Sequence, residues 1–171
     1  CAVTLQWHLI ECQAATINVG DSPIGMAFDG SHMWVSNTGD GTVSKINVAT
    51  NTVTATVNVG DTPYGVAFDG SHMYVTNAGD ITLLQINVYT DTVIGSITVG
   101  DRPGDEPFGV AFDGSDIWVT NFSDGTVSKI DVSTGGVIAT VNVGDAPVGV
   151  AFDGSNIWVT NLDVSVSKLV P

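Results

Sequence analysis

The chain has 171 residues, 13% of them charged, and its 18 acids against Lys45, Arg102, Lys129 and Lys168 give a formal charge of −14. This length suits one domain that buries roughly 70% of the surface its unfolded form exposes. So acidic a surface repels phosphate backbones and anionic lipid, which argues against nucleic acid as a partner, and no apolar run approaches the roughly 18 residues of a membrane span.

The chain opens on a leader, residues 1–13, set apart from the rest. It begins with Cys1 rather than Met and reads as a processed chain that has lost an export signal. Residues 3–10 are readable as an extra strand, either a degenerate outer strand or an arm that docks onto a neighbouring molecule. Both cysteines lie here, and fully extended they stand roughly 36 Å apart. Three readings stay open: the leader bends back to form an intrachain disulfide, the cysteines link protomers, or Cys1 carries lipid as in bacterial lipoproteins. Cys1, Cys12 and the intervening Trp7 are the candidate assembly residues.

From residue 14 onward the chain repeats itself. Pro23-Ile-Gly-Met-Ala-Phe-Asp-Gly-Ser31 recurs with small changes from Pro63, Pro107 and Pro147, and each copy leads into Trp34-Val-Ser-Asn37 or an equivalent. The Asp-Gly pairs begin at Asp29, Asp69, Asp113 and Asp153, spaced 40, 44 and 40 residues apart. A period near 40 with four short Val/Ile/Thr-rich runs per unit marks propeller blades. In the second unit the strands are 64–68, 73–77, 82–88 and 93–99, joined by Asp69-Gly70 and by the turns at 77–80 and 89–92.

Residues 15–19 (Ala-Thr-Ile-Asn-Val) match the fourth strands at 55–59 and 139–143, while the last unit supplies only 148–152, 157–161 and 164–170. The expected fold is therefore all-β, a β-propeller of four four-stranded blades spanning 14–171. Its last blade is completed by the N-terminal strand of the same or a neighbouring chain. Such closure removes exposed edges; between chains it generates a larger ring or a filament.

The segments Tyr74-Val-Thr-Asn77, Trp118–Asn121 and Trp158–Asn161, with the Pro-x-Gly-Val-Ala-Phe-Asp-Gly run before them and Gly-Thr-Val-Ser-Lys-Ile after (41–46, 125–130), resemble the YVTN family of propeller repeats. The resemblance covers about residues 14–170. It implies a secreted or cell-surface protein of the kind found in surface layers. Members of that family commonly carry seven blades, so the four found here set assembly against a self-closed monomer. Some similar propellers are lactonases or lyases, but no matching catalytic set is present to carry over.

Two sets of carboxylates recur on one expected face. Asp21, Asp61, Asp101 and Asp145 lie in the corners between units, and Asp40, Asp80, Asp124 and Asp163 lie in the turns between second and third strands. Oxygen-rich rings of this type suit Ca²⁺, and turn capping is the competing role. The third set, Asp29 and its equivalents, belongs to structural hairpins. Trp34, Tyr74, Trp118 and Trp158 are expected to pack between blades rather than stack on sugars. His32 and His72 read as surface turn residues. Lys45, Lys129 and Lys168 read as exposed partners of nearby carboxylates, worth about 0–1 kcal/mol each. The insertion at 102–107 lengthens one corner, and Asn121-Phe122-Ser123 is the one glycosylation triplet, placing Asn121 as a candidate acceptor.

No Ser-His-Asp set, phosphate loop or zinc-spaced Cys/His cluster appears, so the expectation is no enzyme and no cofactor beyond a Ca²⁺ candidate. The leading expectation is an extracellular structural propeller that self-associates, as a surface assembly or filament unit. The alternative is a monomeric binding module for a cation, glycan or basic partner at the Asp-rich face, with a lactonase- or lyase-like enzyme more distant.

Overall fold

The computed structural model describes residues 15–100 and 104–171. Those residues form fifteen strands and no helix: β1 (Pro23–Phe28), β2 (His32–Asn37), β3 (Thr42–Asn47), β4 (Thr52–Asn58), β5 (Pro63–Phe68), β6 (His72–Asn77), β7 (Thr82–Asn87), β8 (Thr92–Thr98), β9 (Pro107–Phe112), β10 (Asp116–Asn121), β11 (Thr126–Asp131), β12 (Gly136–Asn142), β13 (Pro147–Phe152), β14 (Ile157–Asn161) and β15 (Ser165–Leu169). They make antiparallel up-and-down sheets in chain order, one per repeat, arranged as the four blades of a β-propeller.

Local chemistry explains where each strand stops. Gly30 turns β1 into β2 at φ 100°, while Asp29 Oδ1 accepts the N–H groups of Ser31 and His32 at 2.8 and 2.7 Å. Glycine takes that φ without a Cβ clash, and the carboxylate satisfies donors the hairpin leaves over. Between β3 and β4, Asn47 Oδ1 accepts from Ala49 and Thr50, and Asn51 takes the left-handed conformation at φ 57°. The corner before each blade is stitched to the β2–β3 type of turn. Thr38 N–H donates to the Ser22 carbonyl and Gly39 N–H to that of Asp21, both at 3.1 Å. The corners and those turns thus share one face, as their connectivity requires.

Apolar packing runs along three seams. Trp34 and Val43 of the first blade pack with Val66, Met73, Val75 and Ile86 of the second. Tyr74 and Leu83 pack with Ile117, Val119 and Ile130, and Trp118 and Val127 pack with Ile157 and Val159. Each fully buried Val, Ile or Leu contributes about 1.5–3 kcal/mol relative to exposure.

Two features bear on closure, which the sequence left between the same and a neighbouring chain. Among the described residues the last sheet has three strands, β13-β14-β15, and residues 15–19 form no strand. The blades also form an open arc. β1 packs on β5, β5 on β9 and β9 on β13, but β13 and β1 have no comparable packing. Among the described residues no helix is long and apolar enough to cross a membrane.

Candidate functional site

The Asp-rich face resolves into pairs rather than a ring. Asp40 Oδ2 accepts the backbone N–H of Asp21 at 2.7 Å, Asp80 that of Asp61 at 3.0 Å, and Asp163 that of Asp145 at 3.1 Å. One carboxylate in each of these blades therefore caps the corner carrying the other. Ser165 Oγ and N–H also hold Asp163 and, with the Asp145 N–H, keep its carboxyl below the usual range. In the third blade the corner register counts back from Pro107. Phe122 N–H donates to the Glu106 carbonyl, as Thr38 does to Ser22, so the equivalent of Asp21 is Asp105, not Asp101. Asp101 lies outside the described residues, and Asp124 occupies the turn after β10. Among the described residues no three acids, His or Cys come together as a metal-binding group.

The opposite hairpins hold the aromatic row. Asp29 Oδ2 accepts the Trp34 indole N–H at 2.8 Å, and Asp113 and Asp153 do the same for Trp118 and Trp158 at 2.7 Å. Partial burial pushes the Asp29 and Asp113 carboxyls up, but these indole and backbone N–H bonds outweigh it and leave both lowered. In the second blade Tyr74 replaces tryptophan. Burial and then the Asp69 carboxylate push its phenol well above the usual range. His32 and His72 sit 3.5 Å from Asp29 and Asp69 at these turns, a structural placement.

Lys45 is buried, which corrects the reading of an exposed pair. It lies 4.9 Å over the Trp34 ring and bonds the Val88 carbonyl and Asp91 of the next blade at 2.6 and 2.7 Å. Lys129 stays within its own blade, 3.1 Å from Asp116, and Lys168 lies 5.3 Å over Trp158.

Asn121 is also corrected. Its amide is buried, and Nδ2 donates to Thr126 and Ser128 at 2.9 Å, as Asn37 does to Thr42 and Ser44. A glycan on that nitrogen would break both bonds and the strand pairing around them. In all four blades the equivalent Oδ1 is buried without a hydrogen-bond partner among the described residues. Cys1, Trp7 and Cys12 lie outside the described residues, as do the rest of the leader, Arg102 and Pro103.

A set of residues not singled out from the sequence links the blades. The Ser36 hydroxyl accepts the Gly25 N–H at 2.9 Å and donates to the Tyr64 carbonyl of the next blade at 2.6 Å. Thr76 repeats this with Gly65 and Phe108, and Thr120 with Gly109 and Val148. The invariant Pro-x-Gly and Ser/Thr-Asn positions carried this signal. A Cβ on Gly25, Gly65 or Gly109 would collide with that same next-blade carbonyl, so only glycine admits the approach.

Both ends of the arc present unfinished seams. Val43, Leu83 and Val127 are fully buried, whereas their equivalent Val166 is 59% exposed. Trp158 is 40% exposed where Trp34 is 0%. At the other end Met26 is 62% exposed where Val66 is 8%, and Ile24 and Phe28 are exposed beside it. At the axis, Ile24, Tyr64, Phe108 and Val148 line a small apolar cavity of about 170 Å³, in which Tyr64 and Phe108 stack at 4.3 Å.

No protein-family model matches the chain, and no curated protein matches it. Solved propeller structures do. Hydrazine synthase of Kuenenia stuttgartiensis is 22% identical with a TM-score of 0.78, over 92% of this chain and 48% of that one. A catalytically inactive virginiamycin B lyase of Staphylococcus aureus is 17% identical with a TM-score of 0.75, over 90% and 53%. The computationally designed Ika4 protein is 13% identical with a TM-score of 0.76, over 91% and 95%. The chain thus spans about half the length of the first two. At these identities the likeness shows the fold alone.

Proposed function

We propose that this chain is a non-enzymatic structural propeller of the YVTN-repeat type, extracellular or at a cell surface, whose role is to associate with further blades through its two open ends. One observation carries the reading: three seams are built to one plan, and the fourth set of seam residues lies exposed at the two ends of the arc. Exposed contiguous apolar faces of this kind mark interaction surfaces. The edge of β15, which no strand among the described residues covers, adds a second attraction, because open sheet edges accept strands. The test is the mass of the chain in solution under reducing conditions, measured by light scattering. Association above the single-chain mass supports the reading, and a strict monomer at high concentration refutes it.

A second reading is favoured by the axial cavity. Its stacked Tyr64 and Phe108, in a chain of formal charge −14, suit a small ligand with an apolar body and a positive charge, bound by a monomer. Titration with a quaternary ammonium probe, followed by Tyr and Trp fluorescence, tests it; an unchanged spectrum rules it out.

A further inference from the structure

We propose that two copies of this chain close head to tail into one eight-bladed ring, each copy's residues 15–19 adding as the fourth strand of the other's last blade. The inference rests on the association reading above and specifies its partner and stoichiometry.

The three internal seams act as a template for the fourth. At each of them a Ser or Thr hydroxyl takes an N–H from its own blade and donates to the next blade's carbonyl. Thr160 accepts the Gly149 N–H at 3.0 Å but donates to no carbonyl among the described residues. By the repeat its acceptor is the Ile24 carbonyl, one residue after the corner proline, as Tyr64, Phe108 and Val148 are. Gly149 tells the same story from the other side. Its three counterparts are glycine because a neighbouring carbonyl presses on them, yet among the described residues a Cβ at Gly149 would meet only Thr160 Oγ1. The cradle for an approaching backbone is built, and the backbone that fits it belongs to a first blade.

The apolar surfaces match in the same way. Trp34 and Val43 bury themselves against Val66 and Phe68, so Trp158 and Val166 are shaped for Met26 and Phe28. Lys168 has the place from which Lys45 reaches the next blade, and there it meets the Val48 carbonyl and Asn51. The fourth strand follows by register. In the first blade Lys45 faces Ala55, Ser44 faces Thr56 and Val43 faces Val57, and Val59 N–H donates to the Gly41 carbonyl. Transposed, Lys168 faces Ala15, Ser167 faces Thr16 and Val166 faces Ile17 of the partner copy.

Two copies make the smallest head-to-tail ring open to such an arc. A ring of four would press β13 on β1 as β9 presses on β13, and packing of that extent is not made. The same four blades superpose on about half of two longer propeller chains. The arrangement of blade on blade is therefore one that longer propeller chains share. A head-to-tail contact that closes after two copies satisfies both open ends at once, whereas an open chain leaves one of each exposed. The contact surfaces are apolar, so the −14 charge of each copy is carried elsewhere and opposes the ring only at long range.

The experiment uses the full chain with Cys1→Ser and Cys12→Ser, so that native thiols play no part, and adds Thr16→Cys with Ser167→Cys. On oxidation the ring predicts a species cross-linked between chains at twice the 17.7 kDa of one chain. Without the added cysteines, light scattering should give the same mass over a hundredfold range of concentration. Met26→Asp, placed on an exposed side chain, should give a folded monomer with unchanged far-ultraviolet circular dichroism. A monomer without that change overturns the ring and the association reading together. A mass that climbs with concentration overturns the ring alone. A cross-link formed within one chain shows that the blade is closed by its own strand and refutes the exchange, and a dimer indifferent to Met26→Asp refutes the seam.

Discussion

Lys45 Nζ, on β3 of the first blade, donates to Asp91 Oδ1 at 2.7 Å and to the Val88 carbonyl at 2.6 Å, both beyond the end of β7 in the second blade. The same ammonium lies 4.9 Å over the Trp34 ring. One cation thus ties two blades and caps the aromatic between them. Lys129 has an equivalent place but pairs with Asp116 of its own blade.

The contrast predicts unequal costs for the same substitution. Lys45→Met keeps the apolar stem over Trp34 and removes both charge-assisted bonds, leaving the Val88 carbonyl unsatisfied, at about 1–3 kcal/mol. Lys129→Met removes a partly exposed pair and should cost about 0–1 kcal/mol. Urea midpoints at constant m-value measure both, and equal losses would show that the cross-blade bonds contribute nothing special.

Gly109→Ala tests the close approach of blades. The added Cβ meets the Val148 carbonyl, backbone that cannot swing aside, and Gly65→Ala meets that of Phe108. Overpacking of this kind costs about 1–3 kcal/mol. Gly70→Ala is the control. Its Cβ would meet nothing within 4 Å, so its loss, about 1 kcal/mol, comes from φ 100° alone and leaves the seams intact. Thermal unfolding separates the cases if the seam variants also lose near-ultraviolet signal from the packed aromatics while Gly70→Ala does not.

Much of this was legible in the chain before any coordinates. Asp-Gly pairs at a regular spacing give blades, and the hydrophobic alternation gives strands, because turn chemistry and period-2 burial are local properties. The choice between a self-closed ring and an open arc was not legible. It turns on packing between blades, such as Gly25 against Tyr64 and Val43 against Val75, between residues far apart in sequence. Asn121 failed as a glycan acceptor for a related reason. The triplet is a local pattern, and burial of its amide by Thr126 and Ser128 is not. At the third corner, reading forward from Gly100 selects Asp101, whereas the anchored Pro107 makes Asp105 the counterpart. A four-residue insertion hides which end is fixed.

Acid should loosen the hairpins that carry the tryptophans. Asp29 and Asp113 hold carboxyls below the ordinary value of about 4, because bonds from indole and backbone N–H groups outweigh their partial burial. A lowered folded value means the stabilisation is complete above the ordinary carboxylate range and is lost as pH falls through the folded value. Stability should therefore hold down to about pH 4 and fall below it. Asp113→Asn turns one accepting oxygen into a donor facing Trp118 Nε1–H, costing about 1–3 kcal/mol at neutral pH, and flattens the acid slope. A variant with the wild-type slope would move the acid sensitivity elsewhere.

Calcium should leave the melting temperature unchanged. Asp40, Asp80 and Asp163 each hold a corner N–H within their own blade, and among the described residues no three acids converge. A bound cation would have to pull these oxygens from bonds they already make, at about 1.5–3 kcal/mol for each charged hydrogen bond broken. Ca²⁺ takes six to eight oxygens, and a pair of carboxylates in one blade supplies too few without neighbouring blades. Coincident unfolding curves in added Ca²⁺ and in EDTA are thus expected. Stabilisation that rises with the Ca²⁺ concentration would instead show that carboxylates of separate blades converge on the ion. Asp40→Ala then discriminates the two roles: it should destabilise the first corner equally with and without Ca²⁺ if capping is its work.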